Sequence, residues 1–276
     1  MILRLLMKAS VLLGFSLPAI LCAEEITTTD GQIYNSSTIR RSRDMIMVKV
    51  TMEGGTSSVE MGLPLSRIAK VNFAEPPMLA KAIAAASKGN GTEVLNLTGD
   101  YVSNEGDLKD VPGSWWFELA RLRLLALASS GRDSECADLA RQIGAMKSPA
   151  AESLSKAGTL FSPLATSDLS TVIVEAKAIP RLGGDQSSPL ALLALGKALL
   201  LKKDYPSALR AFLTIKVFYP SVALLQAPSL AGAAESYVGL KDEKRAAQSY
   251  ADIISAWPES LQAPLAKKKA EILTHP

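Results

Sequence analysis

Only one histidine occurs in the 276 residues, which leaves few ways to do acid–base or metal chemistry. His275 is next to last, where fraying is expected. Without a second histidine or paired cysteines no zinc set can be assembled, and no Ser-His or Cys-His couple either. Gly183-Gly184 lies in a polar linker and lacks the lysine and spacing of a phosphate-binding loop. Carboxylates are scattered over predicted helix surfaces with no spacing that would pair them. The chain therefore reads as non-enzymatic, with no cofactor. Arg40, Arg41 and Arg43 form a compact cationic cluster. It could touch an anion, but a solvated strand edge that discourages edge-to-edge pairing explains the same pattern.

The elements around these residues set the compartment first. Arg4 and Lys8 precede an uncharged run, Ala9–Leu21, which is too short to span a bilayer comfortably and fits the apolar region of a secretory signal. Cleavage after Ala23 predicts a signal peptide over 1–23. A competing reading takes AILC as a lipobox, with Cys22 as a lipid-bearing first residue and peripheral membrane attachment as the result; Leu21 stands where that motif wants Gly, Ala or Ser. No further run is long enough for a transmembrane span. Lysine and arginine total 30 against 27 acidic residues, and two of the 30 fall in the leader. A near-neutral exported protein is not built for nucleic acid. With one cysteine left, Cys136, no intramolecular disulfide can form. The expected location is the periplasm or the outer-membrane periphery of a Gram-negative-type bacterium.

Residues 24–75 predict a small β module. Asp30-Gly31 sits between extended runs as a hairpin turn, DMIMVKVTM alternates as a half-buried strand should, Glu53-Gly54-Gly55 makes a second turn, and VEM and RIAKVNF supply two more strands. About five short strands in fifty residues imply a strongly bent sheet or barrel. The order of features resembles the Sm-like and SH3-like small barrels. The fold class expected overall is mainly α, with this module followed by helices from 76 to 276. Glu75-Pro76-Pro77 marks the boundary, and Ala- and Leu-rich amphipathic segments follow, joined by short polar connections. Asn104–Gly113 reads as a polar loop.

Two of those segments repeat. KKDYPSALRAFLTIKVFYP ends at Pro220 and KDEKRAAQSYADIISAWP ends at Pro258, with Ala208, Phe212 and Pro220 each offset by 38 from Ala246, Tyr250 and Pro258. With Leu192, Leu195, Gly196 and Leu199 before them, the spacing matches the tetratricopeptide pattern of about 34 residues, extra residues falling in SVALLQAPS. The small residues let helix backbones approach to roughly 8–10 Å, the aromatics fill the wedge beside that contact, and each proline ends its helix. Pro189–Pro258 is similar to the repeats of exported bacterial tetratricopeptide proteins, such as the periplasmic coordinator of the Tol-Pal system and the outer-membrane lipoprotein of the β-barrel assembly machine. A weaker copy upstream puts Cys136 at the small position, as a buried hydrophobe.

The resemblance implies a TPR-like α-helical solenoid of four or five helix pairs, the clearest over 189–258 with a capping helix at 260–273. It also implies a scaffold or adaptor that binds an envelope protein partner in a groove. First helices would line the concave side, where Leu193, Lys197, Leu200, Glu235 and Val238 are the candidate partner-binding residues. The alternative function is envelope-polymer binding, of peptidoglycan or polysaccharide, by the β module, with the helices as spacer or oligomerisation surface.

Overall fold

The structure is a computed structural model that describes residues 24–51, 58–146, 148–166, 168–179 and 186–274. The expected leader, the Glu53-Gly54-Gly55 turn, the Gly183-Gly184 linker and His275 lie outside these residues. The fold is mainly helical, with a curled antiparallel sheet at its N-terminal end.

Five strands make the sheet: β1 (Glu24–Thr28), β2 (Ile33–Ser42), β3 (Met45–Thr51), β4 (Ser58–Pro64) and β5 (Ile68–Asn72), in the order β4-β3-β2-β1-β5. Gly31, at φ +84°, carries the β1–β2 turn, a backbone state that costs a glycine nothing. A 3₁₀ turn over Leu65–Arg67 sends the chain back so that β5 pairs with β1. The register slips between Thr27 and Thr28, and such bulges bend the strand. Ile26, Ile46, Val48, Leu63, Ile68 and Val71 point inward.

The segment 105–113 is more than a polar loop. Val111 is buried in the sheet core and Leu108 packs beside it. The Val71 amide donates to the Pro112 carbonyl at 2.9 Å, and Arg41 pairs with Asp110. Gly113, at φ +94°, passes so close to β5 that a Cβ there would overlap the Val71 carbonyl oxygen. Two apolar residues set among Asp, Lys and Gly thus dock the helical part onto the sheet. Trp115 adds a hydrogen bond from Nε1 to the Phe73 carbonyl at 3.3 Å.

The helices are α1 (Leu79–Ser87), α2 (Gly91–Asn104), α3 (Trp116–Ser129), α4 (Asp133–Gly144), α5 (Pro149–Thr159), α6 (Phe161–Thr166), α7 (Leu169–Ala178), α8 (Ser187–Leu201), α9 (Tyr205–Phe218), α10 (Gln226–Gly239), α11 (Glu243–Ala256) and α12 (Gln262–Thr274). One turn geometry recurs four times. Gly89, Gly131, Lys203 and Lys241 all have φ between 61° and 71°. Each donates its amide to the carbonyl three residues back, and the following residue donates to the carbonyl five back: Asn90 to Ala85, Arg132 to Leu127, Asp204 to Leu199 and Asp242 to Tyr237. This is the Schellman closure of a helix. In three of the turns the next residue also caps the second helix, Asn90, Asp204 and Asp242 accepting from Glu93, Ser207 and Arg245 amides at 3.0, 3.3 and 3.0 Å. The pairs α1–α2, α3–α4, α8–α9 and α10–α11 are therefore built alike.

Between α8 and α10 lies the wedge. Phe212 is fully buried, and Cβ atoms built on Gly196 (α8) and Gly232 (α10) would each come within 2.5 Å of its ring. In the weaker upstream pair Ala140 replaces the aromatic, and Gly158 of α5 closes onto it. Tyr205 lies on Gly239 in the same way, which explains the tyrosine after the capping Asp204.

Contacts also run beyond neighbouring pairs, unlike an open stack in which each repeat touches only its neighbours. Lys88 pairs with Glu259 at 3.2 Å, and the Gln262 amide donates to the Ser129 carbonyl at 2.7 Å. The SVALLQAPS insertion forms a 3₁₀ turn, Ala223–Leu225, whose buried Leu224 and Leu225 join the core with α1 and α3. The last helices thereby fold back on the first.

Candidate functional site

That closure decides where the expected partner-binding residues stand. Twelve of the fifteen residues of α8 are buried, as befits a helix apolar all round. Leu193 is 1% exposed and belongs to the core. One turn on, Lys197 is half-buried and engaged within the fold: its Nζ donates to Asp133 at 2.8 Å and lies 5.0 Å from the centroid of Phe161. The expected concave side of α8 is thus covered by α4–α6, and Leu200 is half-buried against the same core. Of these three, Leu193 is buried, while Lys197 and Leu200 are partly exposed.

Glu235 and Val238 fare differently. Val238 is 44% exposed, and both residues line a cleft of about 230 Å³ with Tyr250, Lys269, Ile272 and Leu273. Lys269 pairs with Glu235. Burial pushes the Tyr250 hydroxyl above its usual range, and the Glu235 charge adds to this while Lys269 opposes it. Burial would lower Lys269, but the Glu235 hydrogen bond and charge outweigh it and its net shift is upward. Lys269 is therefore an ion-pair member and not a bare solvated charge.

The larger concavity lies where α7, α8 and α9 meet, a groove of about 570 Å³. Its floor is Leu192, Leu195 and Leu199, along two turns of one α8 face, together with Ala211. All four are buried yet border the opening. Val217 and Phe218 of α9 form one wall, 65% and 70% exposed. Lys177, Asp204 and Arg210 stand on the rim. Asp204 is occupied as the α9 cap. Arg210 donates to the Ser207 hydroxyl at 3.2 Å, and neither it nor Lys177 makes an ion pair among the described residues.

None of these groove residues was a candidate in the sequence. The signal was nonetheless present: Ala208, Phe212 and Ile215 make the core stripe of α9, and Val217 and Phe218 are large apolar residues off it. Cys136 is buried, with its thiol 3.8 Å from the Leu124 carbonyl, and burial pushes its ionisation far up, with Asp133 adding and Lys197 opposing. A thiol held neutral is a poor nucleophile. In the arginine cluster, Arg40 pairs with Glu60 and Arg41 with Asp110. Among the described residues no group of His, Cys, Asp and Glu is gathered to hold a metal ion, and no helix is long and apolar enough to cross a membrane. Comparison of the chain with protein-family models, curated proteins and solved structures finds no match.

Proposed function

We propose that the protein is an exported, non-enzymatic scaffold of the tetratricopeptide type, working in the bacterial cell envelope by holding a protein partner against its helices. The periplasm or outer-membrane periphery is the compartment, reached through the 1–23 leader. Support for the repeat reading comes from the four like-built helix pairs and from the Gly196–Phe212–Gly232 wedge. The single observation that carries the binding reading is the α7–α9 groove, whose leucine floor opens beside two exposed apolar side chains. Exposed apolar surface of this kind marks contact sites more often than chance.

The test is paired affinity capture from intact envelopes with the wild-type chain and a Val217→Asp, Phe218→Asp variant. Both side chains are exposed, so the fold should survive, and an unchanged urea midpoint verifies it. The proposal expects particular partners to disappear from the variant. Identical partner sets from the two would refute the groove as the binding surface.

A further inference from the structure

We infer that the α7–α9 groove takes an amphipathic helix of about three turns, carrying acidic residues beside its apolar seam. The inference rests on the binding reading above and goes beyond it by naming the chemistry of the partner.

Three features of the groove lead there. First, its walls and floor are helices, whose main-chain amides and carbonyls are already bonded within each helix. An extended segment laid in it would bury its own main-chain groups without partners, which is costly. A helical segment makes its backbone hydrogen bonds within itself and buries none of them unpaired. Second, the floor is a ridge of Leu192, Leu195 and Leu199 at one-turn intervals. Ridges of this spacing accept side chains recurring at i, i+3, i+4 and i+7 of a second helix. Lining residues run along α9 from Ser207 to Phe218, which at 1.5 Å per residue is about 16 Å, or three turns. Third, the rim carries two cations, Lys177 and Arg210, against one carboxylate, Asp204. Lys177 and Arg210 face outward with no ion pair among the described residues, whereas Asp204 already caps α9. Glutamates or aspartates flanking the apolar seam of the incoming helix would meet both cations, and Arg210 can grip a carboxylate with two donors.

A second copy of the chain is a poorer occupant. The segment would have to be an acidic amphipathic helix with a free apolar face, and the exposed apolar residues of α12, Leu265 and Ile272, share that helix with the basic Lys267 and Lys268. That helix would bring positive charge against Lys177 and Arg210.

Selection of 16-residue peptides from a random displayed library against the intact protein tests the inference without knowledge of the natural partner. Enriched peptides should be net acidic, show the i, i+3, i+4, i+7 apolar pattern, and gain helical circular dichroism on binding. Their affinity should fall about tenfold on combining Lys177→Glu with Arg210→Glu, and binding should be lost with Phe218→Asp. Binders that need Phe218 but are basic, or stay non-helical when bound, would overturn the partner chemistry and leave the groove standing. Binders indifferent to Phe218→Asp, or no enrichment at all, would sink the groove reading itself. Groove-dependent self-association in sedimentation, abolished by Phe218→Asp, would show that a second copy is the occupant and overturn the inference.

Discussion

Replacing Gly232 by alanine sets two physical effects against each other at the centre of the helical part. Gly232 lies within α10, where alanine should favour the helix by about 1 kcal/mol on propensity alone. Its new methyl, however, would stand 2.5 Å from Cε2 of Phe212, while carbon atoms in contact want about 3.5–4.0 Å. The ring would have to retreat by roughly 1 Å. Gly196 limits the retreat, since α8 also packs on the ring so closely that a Cβ at Gly196 would stand 2.5 Å from Phe212 Cε1. Overpacking of a filled core costs about 1–3 kcal/mol. The two terms sum to a net destabilisation by Gly232→Ala of up to about 2 kcal/mol. The assay is urea unfolding followed by far-ultraviolet circular dichroism on Gly232→Ala, Phe212→Leu and the double variant. Leucine removes the ring edge, so the double variant should be more stable than the sum of the singles by at least about 1 kcal/mol, the size expected for residues in direct contact. A stabilised Gly232→Ala protein, or strict additivity, would refute the wedge.

Gly131→Ala tests the recurrent turn alone, because a Cβ there meets nothing within 4 Å; a loss of about 1 kcal/mol in urea unfolding is expected from the φ of +71° alone. Lys197→Ala should lower stability by about 1 kcal/mol, through the lost Asp133 pair and Phe161 contact. The same change should leave capture of partners intact, since Lys197 does not line the α7–α9 groove. Cys136 should be inert to thiol reagents in the folded protein and react once unfolded. Because burial raises its folded ionisation, its contribution to stability is complete at neutral pH. That contribution declines as pH rises past about 8.5, where the unfolded thiol ionises, by about 1.4 kcal/mol per pH unit. Cys136→Ala should remove that component of the alkaline slope, and identical slopes in the two proteins would contradict the burial argument.

Local chemistry made much of the fold legible. Asp30-Gly31 announced a hairpin, alternation in β3 announced its buried face, and Pro220 and Pro258 stand just beyond the ends of α9 and α11. The helix boundaries of α9 and α11 follow from Asp204 and Asp242, residues that cap by their own side chains. Lys203 and Lys241 hid the turn geometry, since glycine is the usual sign of a positive φ and lysine is not. Segment 105–113 read as polar because two apolar residues in nine leave no period, and only the tertiary fold reveals Val111 inside the sheet. The expected site suffered from the same limit. A repeat pattern specifies how neighbouring helices pack, but whether a helix face is open depends on distant segments. Asp133 and Phe161 cover Lys197, and the Glu259 and Gln262 contacts close the array. Glu235 and Val238, near the far end of the array, kept their exposure, whereas Leu193 in the middle lost it.

The claim that recognition occurs in the α7–α9 groove is tested most directly by a photoactivatable residue placed in living cells at position 218, with position 254 of α11, also exposed and apolar, as control. Sequencing of the crosslinked peptide should return, from position 218, an acidic amphipathic segment of a partner protein, and nothing comparable from position 254. Crosslinks from 254 with none from 218 would contradict the account.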